Sequence, residues 1–415
     1  MGGLRQWAAA PIVWIVGAVV ALGVWNTSRY PASLGFDGQQ DMSYADGLLH
    51  GRLPHHTGEY HMPPGFYALA AVVDRVAAAI PHFGDPHRAT QALDVALLAA
   101  TLVVIWRIAL ELWPDRPRRA LVATLFAAFV PVTERTAAMF HPETLELFLS
   151  TVAIWLALRL LRRRESLRLA IAVGVALGLA QLVRDFSIGV LGAVLLVLLL
   201  YRRWKPAVVV AAIALAIPMP WYVRQTVVYG TPLPFNRPTP QTAIWRRRRL
   251  DFYIGLGGTQ AFTEPYRGHF VNEAIPTTYS ELWGDYFGHW AWNADHPIPP
   301  GALRVLRRQA WLGLLPTLLA VAGWLMLLRG VRRDPGRLLV ALIPPFGLAE
   351  YAFLTIAHPS PDGDVLKASY LLVTTVGWAV GFAYGLTRLP RTVLFVTAAI
   401  LIALAIIDVP FLVYG

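Results

Sequence analysis

The sequence predicts an all-α polytopic membrane protein, and three observations carry that prediction. Of 415 residues, 56% are hydrophobic and only 15% are charged, against roughly 25% charged in soluble globular chains. The apolar residues fall in long blocks, near the length of about 20 residues that a helix needs to cross a bilayer. The basic residues, of which 34 of 36 are arginine, gather at the ends of those blocks. The first two features exclude a soluble enzyme. The third speaks against a nucleic-acid partner, because phosphate-tracking residues line a groove rather than punctuate helices. With no cysteine in the chain, disulfides, thiolate nucleophiles and Cys-ligated metals are excluded as well.

Taken in order, apolar runs lie at residues 11–26, 91–113, 119–133, 143–161, 167–183, 186–201, 206–223, 309–328, 338–357, 369–387 and 392–413, which predicts about 11 crossings. The first reads as a retained signal anchor with a short basic n-region. With the N-terminus in the cytoplasm, 18 basic residues fall in inner loops and 7 in short outer segments. That asymmetry orients the chain, because positive charge in short loops resists translocation. One apolar segment, residues 63–80, breaks the pattern: counting it as a crossing inverts every later loop. It is therefore expected to be a re-entrant or surface-lying helix on the outer face, in keeping with Asp74 and Arg75 inside it. Three units follow: a transmembrane module over residues 1–223 with a first outer loop at 27–90, a large aromatic-rich outer loop at 224–308, and C-terminal helices at 309–415.

Carboxylates are even more one-sided than the arginines, since nearly all lie in outer loops or at outer helix ends. Chemistry is therefore expected on that face. The first outer loop holds Asp37, Asp41, Asp46 and Glu59 as candidate bases or metal ligands, although solvated loop acids look the same in sequence. His50, His55, His56 and His61 crowd the same loop. With Glu59 they offer ligand types suited to a divalent cation, but at no diagnostic spacing. Glu143 and Glu146 begin a helix after Pro142, where carboxylates either cap the helix dipole or face the first loop. Arg184 and Asp185 read as an adjacent ion pair, and a guanidinium at headgroup depth suits a phosphate. Lys367, one of two lysines, precedes a helix that would bring Tyr370 near it, a second phosphate-binding pattern unless it merely snorkels. In the long loop, Trp245, Tyr253, Tyr266, Tyr279, Trp283, Tyr286, Trp290 and Trp292 read either as sugar-stacking rings or as an interfacial belt. The basic run from Trp245 to Arg249 suits anionic headgroups.

The order of these motifs resembles the GT-C superfamily of integral membrane glycosyltransferases, in particular the branch with protein O-mannosyltransferases and the lipid A aminoarabinose transferase. The likeness rests on Asp37 after the first helix, GRLP at Gly51–Pro54, Glu59, the Pro63-Pro64 pair followed by an aromatic, Pro142-Glu143, and Arg184 closing a helix that contains Gly174 and Gly178. It covers residues 10–200 and extends more loosely to Tyr370. The resemblance implies Asp37 as catalytic base, with Asp41, Glu143, Arg184, Lys367 and Tyr370 binding substrate. It also implies Glu59, with His61, as metal ligands. The donor would be a polyprenyl-phosphate sugar, the acceptor a cell-envelope glycan, lipid or protein, and the site extracytoplasmic on the cell membrane. The sequence departs from the pattern at Gly38, where many mannosyltransferases carry a second acid, which argues against mannose as the donor sugar. Alongside an inverting glycosyltransferase, a transporter or flippase of lipid-linked sugars and a noncatalytic envelope-assembly protein stay open at this point.

Overall fold

In the computed structural model, residues 2–35, 37–55, 58–163, 166–234, 250–266, 273–285, 300–331, 334–357 and 366–407 are described. Among them every regular element is helical. By length and composition six helical spans suit a bilayer crossing: Pro11–Arg29 within α1 (Gly2–Arg29), α4 (His87–Leu112), α7 (Glu143–Arg162), and three C-terminal spans at Gly301–Leu328, Pro335–Ile356 and Ala368–Leu386. Two bent pairs raise the number to eight. In one, α5 (Pro117–Phe129) meets α6 (Pro131–Ala137) at 62°; in the other, α10 (Trp204–Ala216) meets α11 (Met219–Tyr229) at 47°. Proline explains both breaks: Pro131 opens α6, and Pro218 precedes α11, each removing a backbone donor from the helical ladder. The other predicted runs are α8 (Leu167–Val183), α9 (Ser187–Leu200) and the last helix (Arg391–Ile406), of 17, 14 and 16 residues. They fall short of a straight crossing, so the expected eleven spans become six to eight by this criterion.

The segment at 63–80 forms α3 (Gly65–Ala78), only 14 residues long. At about 1.5 Å per residue it is too short for a hydrocarbon core of about 30 Å. Asp74 does not pair with Arg75, as its position suggested. It is buried against the start of α4, where it takes hydrogen bonds from Thr90 (2.7 Å) and meets the His87 ring (2.8 Å). The opposite face exposes Leu69, Val72, Val76 and Ile80. This division of polar and apolar faces suits a helix lying along the membrane surface.

The long loop contains α12 (Leu250–Ile254), α13 (Gln260–Thr263) and α14 (Ala274–Trp283), and from its end onward come α15 (Pro300–Leu328), α16 (Pro335–Ala357), a 3₁₀ turn (Ala368–Thr374), α17 (Thr375–Leu386) and α18 (Arg391–Ile406). Without a hydrophobic effect between helices in lipid, close approach of small residues holds them together. At Gly323 of α15 an added Cβ would lie 2.1 Å from the Gly381 carbonyl oxygen of α17.

The helix ends sort into two clusters. At one end Arg119 lies over Trp113 and Tyr384, Arg162 pairs with Glu111 at 2.7 Å, and Arg203 reaches the Arg163 carbonyl. At the other end Gln91 binds the Ala138 and Tyr30 carbonyls, and the Ala368 backbone N–H donates to Glu281. Arg135, placed by sequence in a short outer loop, is instead buried there, donating to Asn26 Oδ1 (2.7 Å), Tyr30 Oη (3.0 Å) and the Ile407 carbonyl (3.1 Å).

The chain has no cysteine, so single cysteines report topology directly. Ser33→Cys and Arg116→Cys should react with a membrane-impermeant maleimide from opposite sides of the membrane, since only α4 crosses between them. Labelling from one side would mean that α3 crosses too.

Candidate functional site

Asp37 sits at the mouth of the second cluster in an uncommon backbone conformation. Its φ is 57°, in the left-handed region that non-glycine residues rarely occupy and that often accompanies functional sites. It immediately precedes α2 (Gly38–Leu49), yet its side chain makes no hydrogen bond that caps that helix. The carboxylate turns instead to Lys367, whose Nζ donates to Oδ2 across 330 residues of sequence. Burial alone would raise the Asp37 pKa. The Lys367 ammonium and its hydrogen bond, with smaller help from His141 and Arg184, hold it at about 2. Gly38 follows because nothing larger fits: a Cβ there would lie 2.8 Å from the Ser33 carbonyl oxygen. The missing second acid is thus a matter of space as well as of charge.

Lys367 is 4% exposed and begins the 3₁₀ turn, in which residues three apart eclipse. Its Nζ lies 5.5 Å from the Tyr370 ring centroid, as the spacing suggested. Burial would lower the Lys367 pKa, but Tyr370 and Asp37 outweigh it and the net shift is upward, so the ammonium stays charged. Arg184 approaches the same ring at 4.7 Å, and Phe186 stacks on it at 4.4 Å. Two cations thus lie beside one aromatic ring.

Behind them stands Glu143. Its carboxylate meets Arg184 Nε at 3.3 Å through Oε1 and the His141 ring through Oε2, all three side chains being buried. Arg184 is therefore not paired with its neighbour Asp185, which accepts instead from Tyr222 Oη at 2.8 Å. Sequence reading passed over His141 and Glu281. The triplet His141-Pro142-Glu143 was the available signal for the first. No local pattern marked Glu281, which reaches the site only by the packing of α14 against the 3₁₀ turn.

Asp41 and Tyr67 complete the inner wall. Tyr67 Oη donates to Asp41 Oδ1 at 2.7 Å, and Tyr44 stacks on Tyr67 with ring centroids 4.0 Å apart. Burial pushes Asp41 well above the usual carboxylate range, and the charges of Glu59 and Asp37 push the same way. Two acids one helical turn apart are therefore pushed in opposite directions, Asp37 down by Lys367 and Asp41 up by burial.

The expected metal centre does not assemble from its proposed ligands. His61 Nε2 lies 3.8 Å from Glu59, but His55 packs near the Tyr229 ring and His50 binds the Asp46 carbonyl. Among the described residues no three His, Asp or Glu side chains converge in metal-binding geometry. His56 lies outside the described residues. The aromatic loop also departs from expectation: Trp283 is buried and donates to Thr317 Oγ1, and Tyr279 donates to the Ala310 carbonyl. Those two rings pack the bundle rather than face a sugar, while Trp245, Arg246 to Arg249, Tyr286, Trp290 and Trp292 lie outside the described residues.

Residues 62–223 match the family model described as dolichyl-phosphate-mannose-protein mannosyltransferase. Among solved structures, the apo oligosaccharyltransferase of Archaeoglobus fulgidus aligns over 98% of this chain and 55% of its own, at 14% identity and a TM-score of 0.58. ArnT of Cupriavidus metallidurans, bound to undecaprenyl phosphate, aligns over 92% of this chain and 61% of its own, at 13% identity and a TM-score of 0.54. The fold is shared with these two structures. The oligosaccharyltransferase AglB of Archaeoglobus fulgidus, in complex with an inhibitory peptide and a dolichol-phosphate, aligns over 98% of this chain and 56% of its own, at 13% identity and a TM-score of 0.58. The chain spans little more than half the length of these structures, 55 to 61%. No curated protein sequence matches it. Within the shared fold, Asp37, Glu143, Arg184 and Lys367 sit together at one end of the helices.

Removing one partner of a buried ion pair strands the other, at a cost of about 3–5 kcal/mol. Arg184→Ala should lower the thermal midpoint of the detergent-purified protein by several degrees. Arg184→Ala combined with Glu143→Gln should recover part of that loss. A single variant as stable as the parent would mean that Glu143 is already neutral.

Proposed function

We propose that the chain is a GT-C glycosyltransferase of the cell membrane, with its N-terminus in the cytoplasm and its site on the extracytoplasmic face. It transfers a sugar from a polyprenyl-phosphate donor to an acceptor hydroxyl. The observation that carries this reading is the contact of Asp37 with Lys367, beside Arg184 over the same tyrosine: one base and two cations at the end of a lipid-facing bundle. The lipid phosphates named for ArnT and AglB support the donor class. The excess of arginine in the opposite loops supports the orientation.

In the proposed reaction the acceptor hydroxyl gives its proton to the Asp37 carboxylate while its oxygen bonds to the anomeric carbon. The bond from that carbon to the phosphate oxygen breaks on the opposite side, and its electron pair leaves with the polyprenyl phosphate, inverting the configuration. Charge grows on the phosphate as the bond breaks, and Arg184 and Lys367 are the fixed cations that stabilise it. Lys367 thereby has two anions to serve. Paired with Lys367, Asp37 is a weak base; as the ammonium turns toward the leaving phosphate, the carboxylate becomes a stronger one. The two halves of the reaction are coupled through one side chain. The Zn in a further structure of the archaeal enzyme belongs to that protein; Glu59 and His61 fall one ligand short, and no step here passes through a metal.

Asp37→Asn should lower turnover of undecaprenyl-phosphate pentose and hexose donors by about 100-fold or more, while undecaprenyl phosphate still binds. Release of undecaprenyl phosphate by the purified protein reads the first, and native mass spectrometry reads the second. Turnover equal to the parent would remove Asp37 as base.

The pH dependence follows from the same pair. The Asp37 pKa is depressed to about 2 by Lys367 and would otherwise be raised by burial. The stability the pair contributes is present above the ordinary carboxylate value and lost as pH falls through about 2. In Lys367→Met burial is opposed only by the smaller effects of His141 and Arg184, so the acidic limb of the pH–rate profile should move to higher pH. An unmoved limb would show that Lys367 does not set the ionisation of Asp37.

A further inference from the structure

Asp37 has two dissimilar sides. On one stand the cations and rings of Lys367, Arg184, Tyr370 and Phe186, mostly buried. The other opens into a groove of about 810 Å³ between the outer face of α2 and residues 52–54 and 58–59. That volume lies within the range of about 300–1,000 Å³ typical of small-molecule sites. Lys367 and Arg184 take no part in its lining. A phosphate would find no partner of comparable charge there, because Arg52, at the exposed rim, is the single basic residue in the wall.

The groove wall carries neutral polar groups together with the carboxylates of Asp46 and Glu59, which disfavour an anionic ligand and accept hydrogen bonds from hydroxyls. Gln39 and Gln40 are exposed at the start of α2, and Ser43 follows one turn after Gln39. The Ser43 hydroxyl spends its proton on the Gln39 carbonyl at 2.8 Å, which leaves its oxygen as an acceptor. Each carboxamide presents a donor and an acceptor side by side, which matches a pair of neighbouring sugar hydroxyls. Glycines at 35, 47 and 58 bring no side chain to the wall. An acyl chain would need an apolar floor, yet Leu53 is the one large aliphatic residue of the lining and Tyr44 is buried. A peptide would need an aromatic or aliphatic anchor pocket, which the lining lacks for the same reason.

We infer that this groove is the acceptor site and that it takes a neutral, hydroxyl-rich carbohydrate, presenting one of its hydroxyls to Asp37. The inference rests on the transferase reading for its direction, not for its existence: the groove's chemistry favours a saccharide whichever reaction follows.

The test uses the full chain in lipid nanodiscs, applied to an array of neutral oligosaccharides with peptides and phospholipid vesicles as competing probes. At least one neutral oligosaccharide should be retained. The double variant Gln39→Leu, Gln40→Leu should reduce that retention 10-fold or more while binding undecaprenyl phosphate as the parent does. Both positions are solvent-exposed, and an unchanged thermal midpoint checks that the variant folds. Retention of no oligosaccharide, retention unaffected by the double variant, or retention of peptide or vesicle alone would each overturn the inference. Failure of the parent to bind undecaprenyl phosphate, with oligosaccharide retained, would overturn the transferase reading and leave the saccharide site standing.

Discussion

The contact between Lys367 and Asp37 is the interaction on which the site's organisation depends. It ties the first outer loop to a 3₁₀ turn near the far end of the chain, 330 residues away in sequence. Two bare charges near a membrane surface carry a desolvation cost of several kcal/mol each, and only mutual pairing offsets it. The rest of the outer end serves that pair. Glu281 fixes the start of the 3₁₀ turn by accepting from the Ala368 backbone N–H, Tyr370 and Phe186 form its aromatic backing, and the left-handed backbone at Asp37 turns the carboxylate away from its own helix.

Around this pair the charges alternate in space. His141, Glu143 and Arg184 run inward as cation, anion and cation when the histidine is protonated, and Arg184 lies beside the Tyr370 ring with Lys367. Asp41 accepts from Tyr67 Oη, and burial, with the charges of Glu59 and Asp37, pushes its pKa up. The outcome is a site with a cationic, aromatic-backed side and a polar side that holds Gln39, Gln40, Ser43 and the carboxylates of Asp46 and Glu59, with Asp37 between them. Such an arrangement is asymmetric before any ligand arrives, which is the condition for preorganised electrostatic stabilisation.

Much of this was legible in sequence where local rules apply. Hydropathy located every apolar run, and the proline positions account for the two bent pairs. The i, i+3 relation of Lys367 and Tyr370 survived the change from an expected α-helix to a 3₁₀ turn, because both geometries bring those residues together. The site acids Asp37, Asp41 and Glu143 stood out by lying on one face of the topology. Where pairing was guessed from adjacency the reading failed: Arg184 chose Glu143 over Asp185, Asp74 chose Thr90 and His87 over Arg75, and Glu59 found His61 without the other histidines. Side chains of adjacent residues on a helix or turn point apart, so proximity in sequence is a poor guide to partnership.

The sequence alone determined the environment and the class of fold, because hydropathy blocks and charge asymmetry act through the bilayer, residue by residue. Only the tertiary structure decided that Lys367 rests on Asp37, that Arg135 is buried rather than exposed, and that the rings of Tyr279 and Trp283 pack inward. These are contacts between segments up to several hundred residues apart. Their existence depends on how the helices pack against one another, and helix packing is set by shape complementarity of whole surfaces, which no short window of sequence contains.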